Sequence, residues 1–398
     1  MNTNPHADEP NFRLQRLADY CVQMRSIILA RQDADTGLLP ASTATTVHGD
    51  YTHAWVRDNV YSILAPWALS LAYRKVDHAE AQRLEESVVT LMRGLLSAMM
   101  RQAHKVERFK QTQDPLDALH AKYDPRTGEP VVGDTEWGHL QLDATAIFLL
   151  FLAQMTACGL RIVRTVQEVC FVQNLVYYLA AAYRTPDFGI WERGHKRNEG
   201  VAEINGSSVG MAKAALEAVS GIHFLPGEAP AIHVVADDVA RARNTLASLL
   251  PRESVSKEID AALLAVIGFP AFAVEDAALV ARTRMHIVAK LEGRYGCKRF
   301  LRDGHQSVLE DTGRAHYEPG ELARFEGIES EWPLFFTYLL IDATLRGDAQ
   351  QSTDYRARLE ALMQQRDGQR LLPELYFVPA DLIEAERAQP RSQVRQPN

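Results

Sequence analysis

The sequence predicts an all-α fold in which the helices form two layers. Apolar residues recur with a helical period along most of the chain, and the strict alternation typical of strands is almost absent. One run, residues 139–158, is apolar on nearly every side, as a helix enclosed by other helices would be. The run at about residues 59–75 carries a single apolar stripe instead. Two kinds of helix indicate an inner and an outer layer.

The helical runs follow one another with only loops between them. They lie at about residues 11–32, 59–75, 79–104, 139–158, 166–184, 207–221, 235–249, 257–267, 276–292, 332–347 and 353–366. We expect Pro66 to kink the second helix or to delay its regular part, because proline lacks an amide hydrogen. We also expect residues 1–10 to be disordered. The polar, proline-containing segment 383–398 is expected to be a frayed tail.

Long loops containing glycine and tryptophan separate the helices, at roughly residues 33–57, 105–138, 185–206, 293–331 and 367–398. Connections longer than about 12–15 residues are uncommon in compact domains and usually functional. We find no internal repeat, no low-complexity segment and no linker rich in proline and serine. The sequence therefore predicts one helical domain over residues 11–382, with function in its loops.

Composition and charge exclude several classes of protein. The 398 residues include 43 Lys and Arg against 51 Asp and Glu, a net charge of −8, which argues against a nucleic-acid partner. The four cysteines are far apart and form no C-x-x-C pair, so we expect neither a zinc site nor disulfides. The N-terminus lacks a secretory signal and the longest apolar run, 146–155, is too short for a membrane span. We expect a cytoplasmic protein.

Tryptophans gather in the long loops beside charged residues. Four of the five, Trp55, Trp137, Trp191 and Trp332, lie in or next to these loops. A flat apolar ring flanked by hydrogen-bonding groups suits a pyranose, which offers C–H faces for stacking and hydroxyls for hydrogen bonds. Any one of these tryptophans is more simply a core residue. Their recurrence is what suggests a carbohydrate site.

The junctions between loops and helices carry long motifs. They read TGLLPAS (36–42), AWVRDNVYSIL (54–64), WGHLQLDA (137–144) and FGIWERG (188–194). This set resembles the N-terminal region of the phosphorylase kinase regulatory subunits α and β, which is itself similar to glycoside hydrolase family 15, the glucoamylases. The resemblance runs collinearly from about residue 34 to 380. It implies an (α/α)6 barrel, six inner helices within six outer ones, with a sugar pocket in the loops at one end.

The end of the chain departs from both families. Each continues into a further helix after the loop that matches LPELY (372–376), whereas a polar tail follows here. We therefore expect an (α/α)6 barrel that lacks its last helix. Such a barrel would expose apolar surface unless the tail or a protein partner covered it.

The resemblance implies two catalytic carboxyl groups. Glu192 matches the family's general acid, and Glu374 matches its catalytic base. The alternatives are a surface Glu192 paired with Arg193 or Arg197, and a Glu374 that is only a turn residue after Pro373. If both family roles hold, hydrolysis is inverting, with a water between carboxyl groups about 6.5–9.5 Å apart.

Further residues match the family's substrate contacts. Arg57 and Asp58 match the pair that grips the terminal glucose, although Asp58 also stands where a helix N-cap would. Arg294 matches an arginine near the next subsite, with a loop salt bridge as the alternative. Arg193 replaces the second glutamate of fungal-type glucoamylases, which puts the contacts there in doubt. The full set of candidate substrate-binding residues is Trp55, Arg57, Asp58, Trp137, Gln141, Asp143, Trp191, Arg193, Arg294 and Trp332.

Other sequence features suggest different functions. GSSVG (206–210) fits the serine nucleophile motif, but no strand is predicted before it, so we expect a serine of this motif to be a helix N-cap. The basic amphipathic stretch 92–110 is either a docking helix of the calmodulin-target kind or an outer helix with a charged face. No metal or cofactor motif is present.

Taken together, the sequence predicts a protein of glycogen metabolism that binds an α-linked glucan, an oligosaccharide or glycogen itself. The first hypothesis is that it also hydrolyses that glucan. The alternative is a non-catalytic module that senses the glucan and regulates a protein partner or assembles into a homo-oligomer.

Overall fold

A computed structural model describes residues 9–398 except 44, 47, 48, 199, 200, 315 and 367. The predicted disorder of residues 1–10 lies mostly outside the described residues, and Glu9 already opens the first helix. The prediction of an all-α fold is confirmed: helices dominate the described part of the chain, and its strands are two or three residues long.

Most helices follow the predicted order with boundaries shifted by a few residues, but the run predicted at 257–267 is α-helical only at its end, and two helices, Ala103–Thr112 and Ile383–Ala388, were not predicted. The helices are α1 (Glu9–Ile27), α2 (Val56–Tyr73), α3 (His78–Arg101), α4 (Ala103–Thr112), α5 (Leu142–Ala157), α6 (Val166–Ala182), α7 (Gly206–Val219), α8 (Ala236–Leu249), α9 (Leu264–Ile267), α10 (Ala277–Leu291), α11 (Leu334–Leu345), α12 (Ala349–Leu362) and α13 (Ile383–Ala388).

An inner ring is formed by α2, α5, α7, α9 and α11. Within the described residues, α2 packs on α5, α5 on α7, α7 on α9 and α9 on α11. The ring returns from α11 to α2 where Tyr338 meets Tyr61, with ring centroids 6.2 Å apart. Helix α5 is buried on almost every side, as its uniformly apolar sequence predicts.

The outer helices cover this ring. Helices α1 and α3 pack on α2, α6 on α5, α8 on α7, α10 on α9 and α12 on α11. Helix α3 is amphipathic and buries one stripe that includes Leu84, Val88, Leu91 and Leu95. Large apolar side chains remain exposed on two inner helices, at Leu71 of α2 and at Leu334 and Leu345 of α11.

Eight short strands, counted over the residues that the structure describes, tie the loops together. They are β1 (Thr45–Thr46), β2 (Gly49–Asp50), β3 (Ala54–Trp55), β4 (Lys122–Tyr123), β5 (Gln364–Arg366), β6 (Gln369–Leu371), β7 (Tyr376–Phe377) and β8 (Gln396–Pro397), paired antiparallel in that order. The β3–β4 pair sets Trp55 opposite Lys122. An isolated bridge joins Glu331 to Tyr376. Residues from distant loops are thereby held at one end of the ring.

The local expectations have different outcomes, and that of a frayed tail is wrong. Helix α2 runs continuously from Val56 through Pro66, so its regular part is not delayed. The stretch 92–110 is broken at Gln102 between α3 and α4, and its apolar side chains are buried, as an outer helix requires. The segment 383–398 forms α13 and β8 instead of a frayed tail, because Glu386 and Arg395 are buried in ion pairs.

Candidate functional site

The candidate residues come from loops at one end of the inner ring. Trp55 and Arg57 begin α2, Gln141 and Asp143 begin α5, and Trp332 directly precedes α11. The positive ends of these helix dipoles lie near the same loops. The sequence placed these residues at loop–helix junctions, and the fold brings the junctions together.

Arg57 lies at the base of the site in a buried hydrogen-bond network. Its Nε donates to Asp143 Oδ2 at 2.5 Å and its Nη2 donates to Asp143 Oδ1 at 3.2 Å. The same Nη2 donates to Gln141 Oε1 at 3.1 Å. Gln141 in turn donates to the carbonyl of Gly138. Asp143 and Gln141 therefore fix the guanidinium through its Nε and Nη2 atoms, and Nη1 takes no part in these hydrogen bonds.

Asp58 is not the N-cap of α2, which was one alternative. The helix begins at Val56 with Trp55 as the capping residue, so Asp58 lies within the first turn. Burial raises the pKa of the Asp58 carboxyl, and Arg57 opposes that shift. Its position beside Arg57 leaves the proposed role in substrate binding intact.

Glu192 is held close to Arg57. The Oε1 atom of Glu192 lies 3.6 Å from Arg57 Nη1, and 13% of the Glu192 side chain is exposed. Burial raises the pKa of Glu192 to about 8, and the charge of Arg57 only partly offsets that effect. Burial in the folded chain therefore favours the protonated form of this carboxyl group. The expected alternative, a surface glutamate paired with Arg193 or Arg197, is wrong, since its charged neighbour is Arg57.

The loop that carries Glu192 is tightly supported. Glu192 itself has a φ of 64°, a left-handed conformation that is uncommon outside glycine. The buried Asp187 accepts hydrogen bonds from the amide of Leu142, from Asn205 Nδ2 and from Ser208 Oγ. These contacts tie the loop to the first turns of α5 and α7. The backbone of the Glu192 loop is thus fixed by the inner ring.

Two tryptophans form one wall of the site with a lysine between them. Trp55 and Trp137 meet edge to face with centroids 6.0 Å apart. Lys122 Nζ lies 3.8 Å from the Trp137 ring centroid and 5.2 Å from that of Trp55. The indole N–H of each tryptophan is buried, and no residue of the described ranges accepts a hydrogen bond from it.

The other two tryptophans enclose an arginine. Arg299 lies 4.8 Å from the Trp191 ring centroid and 5.1 Å from that of Trp332. Its guanidinium donates to Asp303 at 2.5 and 2.9 Å. Trp191 donates its indole N–H to Asp260. This buried assembly fixes the ring that precedes Glu192.

Glu374 lies on the exposed loop between β6 and β7. Tyr51 connects it with Glu192: burial raises the pKa of Tyr51 to about 12, and the negative charges of Glu374 and then Glu192 add to that shift. The charges of both carboxyl groups, which are far apart in sequence, therefore act on the same phenol.

The remaining two candidates are more peripheral. Arg193 is partly exposed, with Nη1 3.6 Å from Glu310 Oε1, and its charge also acts on Tyr51. Arg294 is exposed on its loop, with its guanidinium 5.4 Å from the Tyr295 ring centroid. The structure brings Arg193 to the site and leaves Arg294 outside the network around Arg57.

Sequence reasoning missed Tyr51, Lys122 and Arg299. Tyr51 and Lys122 lie in long loops that the sequence marks as functional, but only the β3–β4 pairing and the aromatic contacts bring them to the site. Arg299 follows the Gly293–Gly296 motif by three residues, and nothing in its local sequence distinguishes it from Arg294.

Other candidate chemistries find no support. The serines of the 206–210 motif are not N-caps, because Asn205 precedes the helix and Ser207 and Ser208 donate to Glu253 and Asp187. Within the described residues, no group of three His, Cys, Asp or Glu side chains is arranged to hold a metal ion. A search of the same ranges finds no helix long and apolar enough to cross a bilayer.

Comparison with protein families and solved structures identifies the relatives of this chain. The model of "Glycosyl hydrolases family 15" matches residues 16–396. Solved glycosidases share the architecture: a wild-type glycosidase has a TM-score of 0.65 at 19% identity and covers 96% of this chain and 90% of its own. A glycosidase variant in complex with glucose has a TM-score of 0.65 at 20% identity, covering 98% and 92%. The architecture is therefore that of an (α/α)6 barrel, as the sequence motifs implied, and the five inner helices found among the described residues fit the expected barrel without its last helix.

The curated relatives are more similar in sequence. The phosphorylase b kinase regulatory subunit alpha of rabbit skeletal muscle is 55% identical over 391 residues, which are 96% of this chain and 31% of the relative. The probable phosphorylase b kinase regulatory subunit alpha of Drosophila melanogaster is 53% identical, with 96% and 31% covered. This chain thus spans about a third of the length of these relatives, and the resemblance deduced from the motifs is confirmed.

Proposed function

The chain belongs to glycosyl hydrolases family 15, and from that premise we propose that the site at the end of its inner ring binds the terminal glucose of an α-linked glucan. The observation that carries the proposal is the Arg57 network, a buried guanidinium held by Asp143 and Gln141 with one nitrogen directed at Glu192. Such a preorganised fork beside carboxyl groups suits the vicinal hydroxyls of a sugar.

The aromatic residues complete the proposed sugar site. The rings of Trp55 and Trp137 offer apolar surfaces for the C–H faces of a pyranose. Trp191, Arg193 and Trp332 would contact the next glucose units, and Asp58 would accept hydrogen bonds beside Arg57. Arg294 would act only toward longer chains, because it lies away from the central network.

The role that the relatives suggest is regulatory. Both curated relatives are named as regulatory subunits of phosphorylase b kinase, so we infer that this chain acts in the control of glycogen metabolism together with protein partners. A cytoplasmic location fits this role and the four cysteines, which are not disulfide-bonded. In this view the glucan is a signal that the site recognises.

A second function, hydrolysis of the bound glucan with inversion, is favoured by the protonation of Glu192. With a pKa of about 8 this carboxylic acid can donate its proton to the glycosidic oxygen at neutral pH. Glu374 would take a proton from a water as that water bonds to the anomeric carbon and the glycosidic bond breaks. Tyr51, which both carboxyl groups affect, would orient that water.

Binding and hydrolysis are separated by two variants. Calorimetry with maltoheptaose should detect binding by the wild-type protein and by Glu192→Gln, because the amide keeps the size of the carboxyl group. Trp137→Ala should weaken binding by about tenfold or more, since it removes the stacking surface. Glu384→Gln, a change in an exposed glutamate outside the site, should leave binding unchanged.

Glucose release then decides between the two functions. Release by the wild-type protein of β-glucose, detected by NMR, and its loss in Glu192→Gln would establish hydrolysis. Retained binding with equal, background release from both proteins would establish the glucan-sensing role. Wild-type protein that fails to bind maltoheptaose at about 10 mM would overturn the proposal.

A further inference from the structure

A cavity lined by none of the sugar-site residues lies on the outer face of the barrel. It has a volume of about 520 Å³ and lies between α3 and three loops. Its wall includes four arginines, Arg93, Arg101, Arg126 and Arg164, and a single carboxylate, Asp35. None of the candidate sugar-binding residues lines it. We call it the arginine cavity.

Helix α3 supplies one side of the arginine cavity. Arg93, Ser97 and Arg101 follow one another at intervals of four residues, which places them on the same face of the helix. Arg126 approaches from the loop after β4, and Arg164 from the loop between α5 and α6. Guanidinium groups from three separate segments therefore line one hollow.

The walls of the arginine cavity are fixed to one another. Thr36 Oγ1 donates to the carbonyl of Pro125, and Arg101 Nη1 donates to the carbonyl of Thr127, so both loops are tied to the cavity. Gly94 lets the Thr36 carbonyl approach α3 so closely that a Cβ atom would lie 2.0 Å from its oxygen. The geometry is set before any ligand arrives, which reduces the entropic cost of binding.

The charges in this cavity are only partly compensated. Arg93 pairs with Glu168 at 3.1 Å and Arg101 with Glu129 at 2.7 Å. Among the described residues, no carboxylate forms an ion pair with Arg126 or Arg164 within 4.0 Å. Arg126 is near enough to Asp33 and Asp124 to lower the pKa of each, and Arg164 Nε donates to the carbonyl of Arg161. Among the lining residues of the described chain, Asp35 is the one carboxylate.

We propose that the arginine cavity binds the phosphate group of a small phosphate monoester. Phosphate accepts hydrogen bonds from several guanidinium groups at once and its charge balances the two arginines without carboxylate partners. The Ser97 hydroxyl on the same helix face is a further hydrogen-bond donor. This proposal is independent of the function of the sugar site.

The size and shape of the cavity favour a small molecule over a macromolecule. Its volume lies within the range of about 300–1,000 Å³ typical of small-ligand sites. The net charge of the chain, −8, argues against an extended polyanion such as a nucleic acid. A compact sugar phosphate would fill the hollow, with the phosphate toward the arginines and Asp35 near its hydroxyls.

The experiment compares the wild-type protein with the double variant Arg126→Ala/Arg164→Ala. These two arginines have exposed side chains, so their removal should leave the fold intact. Calorimetry at constant ionic strength would use glucose 6-phosphate, inorganic phosphate and glucose as probes. The wild-type protein should bind glucose 6-phosphate, and inorganic phosphate more weakly. The double variant should bind both at least about tenfold more weakly.

The matched control is Arg356→Ala, which removes an exposed arginine from α12, far from the cavity lining. It should bind glucose 6-phosphate as the wild-type protein does. Equal affinity of the double variant and the wild-type protein would overturn the proposal, as would an absence of wild-type binding at about 10 mM. Tighter binding of a phosphoserine peptide than of glucose 6-phosphate would overturn the small-molecule assignment. If the wild-type protein bound glucose and the double variant did not, the cavity would recognise the sugar itself. That result would overturn the role of phosphate.

Discussion

His120 and His139 lie face to face beside the aromatic wall of the sugar site. Their rings are parallel within 4° and their centroids are 3.6 Å apart. His139 Nε2 donates to the carbonyl of Gly133 at 2.9 Å, so its Nδ1 carries no proton in the neutral ring. That Nδ1 is buried and has no hydrogen-bond partner within the ranges the structure covers. Protonation would therefore create a buried, unpaired donor.

This histidine makes stability depend on pH. The pKa of His139 is lowered to about 4, chiefly by burial and against the hydrogen bond to Gly133, and the charges of His120 and Lys105 contribute to the decrease. The unfolded chain binds that proton near pH 6.5, so between about pH 6.5 and pH 4 the unfolded state holds more protons than the folded state. Stability is therefore complete above this range and falls as the pH decreases through it.

We expect the free energy of unfolding to fall by about 2 kcal/mol between pH 7 and pH 5 from this residue. Urea denaturation at the two pH values measures it. In His139→Gln, which keeps a donor for Gly133, the decrease should be smaller by that amount. In His223→Gln, which changes an exposed histidine, the decrease in the free energy of unfolding should equal that of the wild-type protein. An unchanged decrease in His139→Gln would show that another group is responsible.

Contacts between helices and loops decide the geometry at the scale of single elements. Helix α3 shows this at Gly94, in the middle of its length, where the Thr36 carbonyl packs directly on the helix. In an isolated helix, alanine is more favourable than glycine by about 1 kcal/mol. Here a Cβ atom would lie 2.0 Å from a backbone oxygen, which cannot rotate away.

Helix propensity alone predicts that Gly94→Ala raises the free energy of unfolding, whereas the contact with the Thr36 carbonyl predicts that the substitution lowers it. We expect it to lower the free energy of unfolding by about 1–3 kcal/mol, the range found for overpacked sites. Urea denaturation measures the change. Gly320→Ala is the matched control, because none of the described residues comes within 4 Å of the place its added methyl group would take, and it should change stability by less than about 0.5 kcal/mol. If Gly94→Ala raised the free energy of unfolding, the loop around Thr36 would be able to move away from the added methyl group at little cost.

At the scale of the whole molecule, residues near 395 connect to loops that lie far away in the sequence. Arg395 is 4% exposed and pairs with Glu331 at 3.1 Å and with Glu386 at 3.2 Å, both of them 1% exposed. It also donates to the carbonyl of Glu329 at 2.6 Å. Glu331 precedes α11 and is bridged to Tyr376. The final strand thus supports the loops on which Trp332 and Glu374 lie.

Arg395→Ala should destabilise the protein by about 3–5 kcal/mol, because it leaves two buried carboxyl groups without their cation. Thermal or urea denaturation measures the loss. Arg356→Ala, which removes an exposed arginine, should cost less than about 0.5 kcal/mol. If both variants unfolded alike, the buried ion pairs would not contribute to the closure of the structure.

Much of the fold follows from the sequence because helical periodicity is local. The uniformly apolar run at 139–158 predicts the inner helix α5, and the striped run at 59–75 predicts α2. The sequence also placed Arg57 and Glu192 in loop motifs. It missed the break at Gln102 and assigned most of the helix that follows, Ala103–Thr112, to the loop at 105–138.

The sequence by itself determined the helical class, the long functional loops and, through its motifs, the family. Only the tertiary structure decided which loop residues share one site and in what protonation state. Tyr51, Lys122 and Arg299 join it through contacts between distant segments. The pKa of Glu192 rises because the folded chain removes water from its carboxyl group, and no local pattern of residues records that loss of solvent.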